Sequence, residues 1–150
     1  MRILFFCMGN ICRSPVVEAV ARARFAQAGL SVDVASAGTE SYHIGEGADP
    51  RAIASARSAG IDLMPHRARQ LTAEDFAGYD FLLAMDRVNL RAAQRRCPRD
   101  EAQKLALFLA HAGVTGVDEV PDPYYGGAAD FRRVIDLAEL GAAGLIARLR

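Results

Sequence analysis

The residues with the most chemistry to offer lie together near the N-terminus, in the stretch CMGNICRSP, Cys7 to Pro15. A thiol at Cys7, a turn pair at Gly9 and Asn10, an arginine at Arg13 and a hydroxyl at Ser14 stand between an apolar run and a helix-like segment. A loop running into a helix N-terminus presents unpaired backbone N–H groups and the positive end of the helix dipole, and together these favour an anion. Gly9 removes side-chain bulk, and Asn10 tolerates a left-handed backbone, so successive N–H groups can turn inward. Arg13 adds a planar fork that matches two oxygens of a tetrahedral oxyanion. The loop Cys7, Met8, Gly9, Asn10, Ile11, Cys12, Arg13 and Ser14 therefore reads as a phosphate cradle. It lacks the lysine followed by serine or threonine that a nucleotide-binding P-loop places after a second glycine.

What this cradle holds is a thiol. The dipole, amides and arginine that attract phosphate also stabilise a thiolate at Cys7. A thiolate beneath a bound phosphorus atom is a nucleophile placed for in-line attack, and Ser14 can donate a hydrogen bond to the sulfur. Alone, Cys7 would read as a small buried hydrophobe. The glycine, asparagine, arginine and serine at these offsets favour catalysis instead.

Displacement at a phosphate ester also needs a proton for the departing alkoxide or phenoxide. His43, His66 and His111 are scattered singly, and none sits in a convincing loop motif. The segment PDPYY offers Asp122, fixed between Pro121 and Pro123, with Tyr124 and Tyr125 placed to shield it from water. On that segment alone, Asp122 serves equally well as a turn residue.

These groups need elements to position them. RILFF, from Arg2, is a short β-rich run ended by the Gly9–Asn10 turn signal. Pro15 suits the first turn of a helix that follows over Val16 to Ala28, and Gly29 closes it. SVDVASAG alternates like a strand, and DPRAIASARSAG reads as a helix from Asp49 to a cap at Gly60. A second buried strand is expected at Tyr79 to Met85, then a charged helix from about Asp86 to Arg96. KLALFLA is ambiguous between strand and helix, VPDPYYGG must be loop, and a final helix spans about Ala128 to Arg148. Alternating strands and helices imply an α/β fold, an open three-layer sandwich whose parallel sheet is covered on both faces. One domain spanning 1–150 is expected, with the phosphate loop after the first strand.

Composition narrows the classes. The chain is 51% hydrophobic and 24% charged with a formal net charge of zero, so no nucleic-acid footprint is visible. No apolar run is long enough to span a bilayer, and Ile3 to Cys7 is too short for a signal peptide's apolar region, so a cytoplasmic location and no membrane partner are expected. An odd count of three cysteines, Cys7, Cys12 and Cys97, suits free thiols, and their spacing with the single histidines does not suit a metal site.

CMGNICRSP together with DPYYGG closely resembles the low-molecular-weight protein tyrosine phosphatases. The likeness extends over the chain through SAGT from Ser36, DPRA from Asp49, HRARQLT from His66 and MDRVNL from Met85. The resemblance implies a four-stranded parallel sheet, no metal or organic cofactor, and hydrolysis of phosphotyrosine through a phosphocysteine. Carried over by position, Cys7 is the nucleophile, Arg13 the phosphate clamp and Asp122 the general acid and then base. Asn10, Ser14, Ser36 and His66 match the network that holds the loop; without the resemblance His66 reads as an ordinary surface or core histidine. Cys12 matches a thiol that can form a reversible disulfide with the nucleophile. Tyr42 falls on an aromatic wall of the substrate pocket, with Tyr124 and Tyr125 on the other side. The implied partner is a tyrosine-phosphorylated protein, and bacterial members often act on autophosphorylating tyrosine kinases.

Two relatives of that fold are the alternatives. A thioredoxin-coupled arsenate reductase needs a relay of further cysteines, for which Cys97 is the only candidate. The related protein arginine phosphatases carry threonine where this chain has Ile11.

Overall fold

The computed structural model describes residues 1–150. Four parallel strands form the sheet, β1 (Arg2–Cys7), β2 (Asp33–Gly38), β3 (Phe81–Ala84) and β4 (Leu105–Leu107), in the order β2-β1-β3-β4. Helices are α1 (Arg13–Gln27), α2 (Pro50–Ser58), α3 (Ala73–Gly78), α4 (Arg87–Gln94), α5 (Phe108–His111) and α6 (Ala128–Leu149). The chain leaves β1 towards β2 on one side and later returns to β3 on the other. That reversal opens a crevice at the carboxyl ends of β1 and β3, where ligands bind in open α/β sheets.

Period-two alternation divides the core. Ile3, Phe5 and Cys7 of β1, with Leu83 and Met85, face a cluster built on α1, α2, α5 and α6. Leu4, Phe6, Leu82 and Ala84 face a second cluster with Phe76 of α3 and Ala93 of α4. A strand buried on both sides has no polar face, which is why β1 reads as a continuous apolar run.

Boundaries differ from expectation in informative ways. Helix α1 starts at Arg13, with Cys12 as its N-cap residue and Pro15 in its first turn as expected. Arg13 and Ser14 therefore ride on the first helical turn, not on the loop. Strand β3 runs only from Phe81 to Ala84, although the amides of Asp80 and Met85 on either side still donate to the carbonyls of Arg2 and Phe6, at 2.8 and 3.2 Å. Helix α4 ends at Gln94, before Arg96. KLALFLA is both things in turn: it pairs as β4 through Leu107 and winds into α5 from Phe108. Helix α3 and a 3₁₀ turn over Arg99–Lys104 were not expected. Both are six residues long, too short for a hydrophobic period to show. Gly29 and Gly60 end α1 and α2 with φ of 72° and 78°, as the helix stops require.

Candidate active site

Asn10 organises the loop. It is fully buried with φ 60°, the left-handed conformation that an asparagine tolerates. Its backbone N–H points to Cys7 Sγ at 3.3 Å. Its side-chain Nδ2 donates to Ser14 Oγ at 2.9 Å and Ser36 Oγ at 3.0 Å, while Oδ1 accepts from the Arg69 amide at 3.0 Å. Its carbonyl accepts from His66 Nε2 at 2.7 Å. Every polar atom of this buried residue is thus partnered, which fixes the loop in one shape.

The same network sets protons. Ser14 Oγ accepts from Asn10, so its single proton is free to donate to Cys7 Sγ at 3.0 Å; the Ala37 carbonyl, at 3.5 Å, is a poorer acceptor. Ser36 in turn donates to Glu18 Oε1 at 2.5 Å. Burial pushes the His66 pKa down, against the opposing pull of the Asn10 carbonyl and Glu18. His66 is therefore neutral near pH 7 with its proton on Nε2, the tautomer that holds the loop carbonyl.

Arg13 lies at the cavity floor, 3% exposed. Its Nη1 donates to Asp86 Oδ2 at 2.6 Å and to the Val120 carbonyl at 3.0 Å, and its Nη2 sits 3.9 Å from Asp122 Oδ2. Burial would lower its pKa, but the charge at Cys7, the hydrogen bond to Asp86 and the charges of Asp86 and Asp122 outweigh this and shift it upward. Asp86 also caps α4, accepting from the Asn89 amide at 2.8 Å. Sequence reading missed it as a functional residue; its only local signal was its place at a helix start.

Other supports were equally hidden. Gly38 ends β2 against the loop, and a Cβ there would lie 2.6 Å from the Met8 carbonyl oxygen. The amides of Thr39 and Glu40 donate to the carbonyls of Cys7 and Met8, at 2.8 and 3.0 Å, and the Asp49 amide to that of Ile11 at 2.9 Å.

Above the floor opens a cavity of about 400 Å³, lined by the loop from Cys7 to Arg13 together with Tyr42, His43, Asp122, Tyr124 and Tyr125. The structure thus brings the three expected tyrosines and the expected acid to one mouth, and adds His43, which pairs with Glu46. Tyr124 and Tyr125 meet edge to face at 5.0 Å. Asp122 accepts from the Tyr124 amide at 3.0 Å, so it is a turn residue and a cavity residue at once. The shielding expected from its tyrosines is not realised, since half of its side chain is exposed. Asp118 and Glu119, the neighbouring carboxylates, are engaged by Arg87 instead.

The thiols differ. Cys12 is buried, and its pKa is pushed up to about 12, first by burial and then by the charges of Asp49, Cys7 and Asp122. Cys97 packs against the cluster on the opposite face of the sheet from Cys7 and Cys12. No group of three metal-ligating side chains converges anywhere, and no helix is long and apolar enough to cross a membrane.

Residues 2–150 match the family described as low molecular weight phosphotyrosine protein phosphatase. A low molecular weight protein-tyrosine-phosphatase of Streptomyces coelicolor is 44% identical over 156 residues, covering 99% of this chain and 93% of its own. Among solved structures, a protein tyrosine phosphatase from Entamoeba histolytica with Hepes in its active site superposes with a TM-score of 0.94 at 39% identity, covering 99% of this chain and 96% of that one. Wzb of Vibrio vulnificus, in complex with benzylphosphonate, superposes with a TM-score of 0.85 at 31% identity, covering 98% and 97%. The crevice at the switch point of this sheet holds a loop shaped around a thiol and an arginine, and the chain as a whole matches proteins of one kind: it belongs to the low molecular weight phosphotyrosine protein phosphatase family and is a protein-tyrosine-phosphatase.

Proposed function

We propose that Cys7, Arg13 and Asp122 carry the reaction in two displacements at phosphorus. Cys7 Sγ attacks in line with the phenolic oxygen, the S–P bond forms as the P–O bond breaks, and Asp122 gives its proton to the departing phenoxide. Asp122 then takes a proton from water, which attacks the phosphocysteine and releases phosphate and the Cys7 thiolate. Arg13 and the loop amides hold the equatorial oxygens, where charge persists through both steps. The observation that carries this assignment is Cys7 Sγ at the floor, between the Ser14 hydroxyl at 3.0 Å and the Asn10 amide at 3.3 Å, with Asp122 near Arg13 at the mouth.

The rim supports the choice of substrate. Tyr42, Tyr124 and Tyr125 are exposed around a deep sulfur, an arrangement that suits a flat phenyl phosphate better than a short phosphoserine. An autophosphorylating tyrosine kinase presents such a residue on an accessible segment and is the partner class we favour. A thiol mechanism with a second cysteine, Cys12, in the same loop requires a reducing compartment, which supports the cytoplasm. Arsenate reduction is disfavoured because Cys97, the one thiol beyond Cys7 and Cys12, lies across the sheet and no further cysteine is available to relay a disulfide outward. Ile11 in the cavity wall disfavours the arginine phosphatase reading.

The test is a plot of rate against leaving-group pKa for a set of aryl phosphates. Asp122→Ala should lose about 10²–10⁴-fold on phosphotyrosine, the usual worth of acid–base catalysis, and far less on p-nitrophenyl phosphate, whose phenoxide leaves with little help. Alanine variants at Asp118 and Glu119 should keep near-parent activity. Parallel plots for parent and Asp122→Ala would move the acid elsewhere.

A further inference from the structure

The start of α2 connects the two halves of the site. The Asp49 amide donates to the carbonyl of Ile11 in the phosphate loop at 2.9 Å. The buried Asp49 carboxylate accepts from Arg51 at three points: the backbone amide at 2.8 Å, Nε at 3.1 Å and Nη2 at 3.0 Å. The one remaining terminal nitrogen, Nη1, donates to the Tyr124 carbonyl at 2.8 Å. The guanidinium plane also lies over the rings of Phe131 and Tyr124, at 4.7 and 5.3 Å. Tyr124 is therefore gripped on both sides: its carbonyl by Arg51, and its amide by Asp122 Oδ1 at 3.0 Å.

We infer that Arg51 is a positioning residue for proton transfer: with Asp49 it ties the acid loop to the phosphate loop and so sets where the Asp122 carboxyl stands over Cys7. This rests on Asp122 being the general acid. A half-exposed aspartate in a surface turn has few contacts of its own, the Tyr124 amide and Arg13 Nη2 at 3.9 Å, and Arg51 ties that turn to α2 through the Tyr124 carbonyl. A lysine cannot replace it. One ammonium can reach the Tyr124 carbonyl or the Asp49 carboxylate, but it lacks the fork that serves both and the flat face that stacks on Phe131.

The experiment compares Arg51→Met, Arg51→Lys, Asp122→Ala and the double variant Arg51→Met/Asp122→Ala. Met keeps apolar cover over Phe131 and removes every side-chain hydrogen bond while leaving the backbone amide on Asp49. In Arg51→Met, kcat on phosphotyrosine should fall about tenfold, the worth of one charge-assisted hydrogen bond, with KM near the parent value and a smaller loss on p-nitrophenyl phosphate. Arg51→Lys should recover little of it. The slope against leaving-group pKa should lie between those of the parent and Asp122→Ala, and the double variant should be no slower than Asp122→Ala, because one defect contains the other. If Asp122→Ala steepens the plot while Arg51→Met shifts it in parallel, or if the two losses multiply, Arg51 acts only on the fold and the inference is overturned. If Asp122→Ala itself leaves the slope at the parent value, the acid assignment fails, and the role of Arg51 fails with it. Thermal melts of each variant separate both cases from simple unfolding.

Discussion

At the scale of single residues, the site depends on how Arg13 is held as much as on its charge. Asp86 and the Val120 carbonyl occupy Nη1, which leaves the rest of the fork for an anion. Arg13→Lys should be severely impaired, because a point charge cannot both answer Asp86 and grip two phosphate oxygens. Asp86→Asn is the sharper test. Asparagine is as good an N-cap as aspartate, so α4 should survive, but the charge that anchors Arg13 is gone. A loss of about tenfold or more in kcat/KM, with little change in melting temperature, is the expected result, since hydrogen bonds to charged groups contribute about 1.5–3 kcal/mol. Parent kinetics in Asp86→Asn would mean that the helix alone orients Arg13. None of this was legible from the sequence around Arg13. The thiol, the arginine and the serine declare themselves by spacing in one short stretch, whereas Asp86, Arg69 and Arg51 reach the site from other elements and leave no local pattern.

At the scale of elements, what could be read depended on length and on stops. Strand β1 and helices α1, α2 and α6 show either an apolar run or a period closed by glycine or proline. Helix α3 has only a short turn held by the Asp75 carboxylate, which accepts from the Thr72 amide at 2.8 Å, and nothing periodic to betray it. Close approach between helices is likewise invisible before folding. Two glycines in α6 make room for α5: a Cβ at Gly141 would fall 2.1 Å from Cζ of Phe108, and one at Gly144 would fall 2.2 Å from the Ala112 carbonyl oxygen. In a free helix interior, Gly→Ala stabilises by about 1 kcal/mol. Gly144→Ala should instead destabilise by about 1–3 kcal/mol, as overpacking does, because a backbone carbonyl cannot rotate away. Urea unfolding measures the sign. A gain in stability would show that α5 yields without cost. Gly141→Ala should disturb more, since Phe108 is fully buried and packs edge to face on Phe5 of β1 at 5.3 Å.

At the scale of the whole molecule, the fold separates its thiols by burial, by field and by face of the sheet. Proximity on one loop suggests that Cys12 captures an oxidised Cys7 readily. The structure adds a restraint that spacing does not show, because burial, and after it the charge of Asp49 at the start of a different helix, raises the Cys12 pKa. Disulfide chemistry runs through the thiolate, and a Cys12 pKa of about 12 leaves it protonated at neutral pH. The sign follows directly: below pH 12 the thiolate fraction of Cys12 rises about tenfold per unit of pH, and capture of a Cys7 sulfenic acid should rise with it. Overoxidation by excess peroxide competes with that capture. Activity recovered by dithiothreitol after a fixed peroxide pulse should therefore be larger at pH 8 than at pH 6. Cys12→Ser should recover poorly at both. Cys97, on the other side of the sheet, should stay out of the exchange. Recovery that does not change with pH, or peptide mapping that joins Cys7 to Cys97, would show that burial at Cys12 does not govern the step.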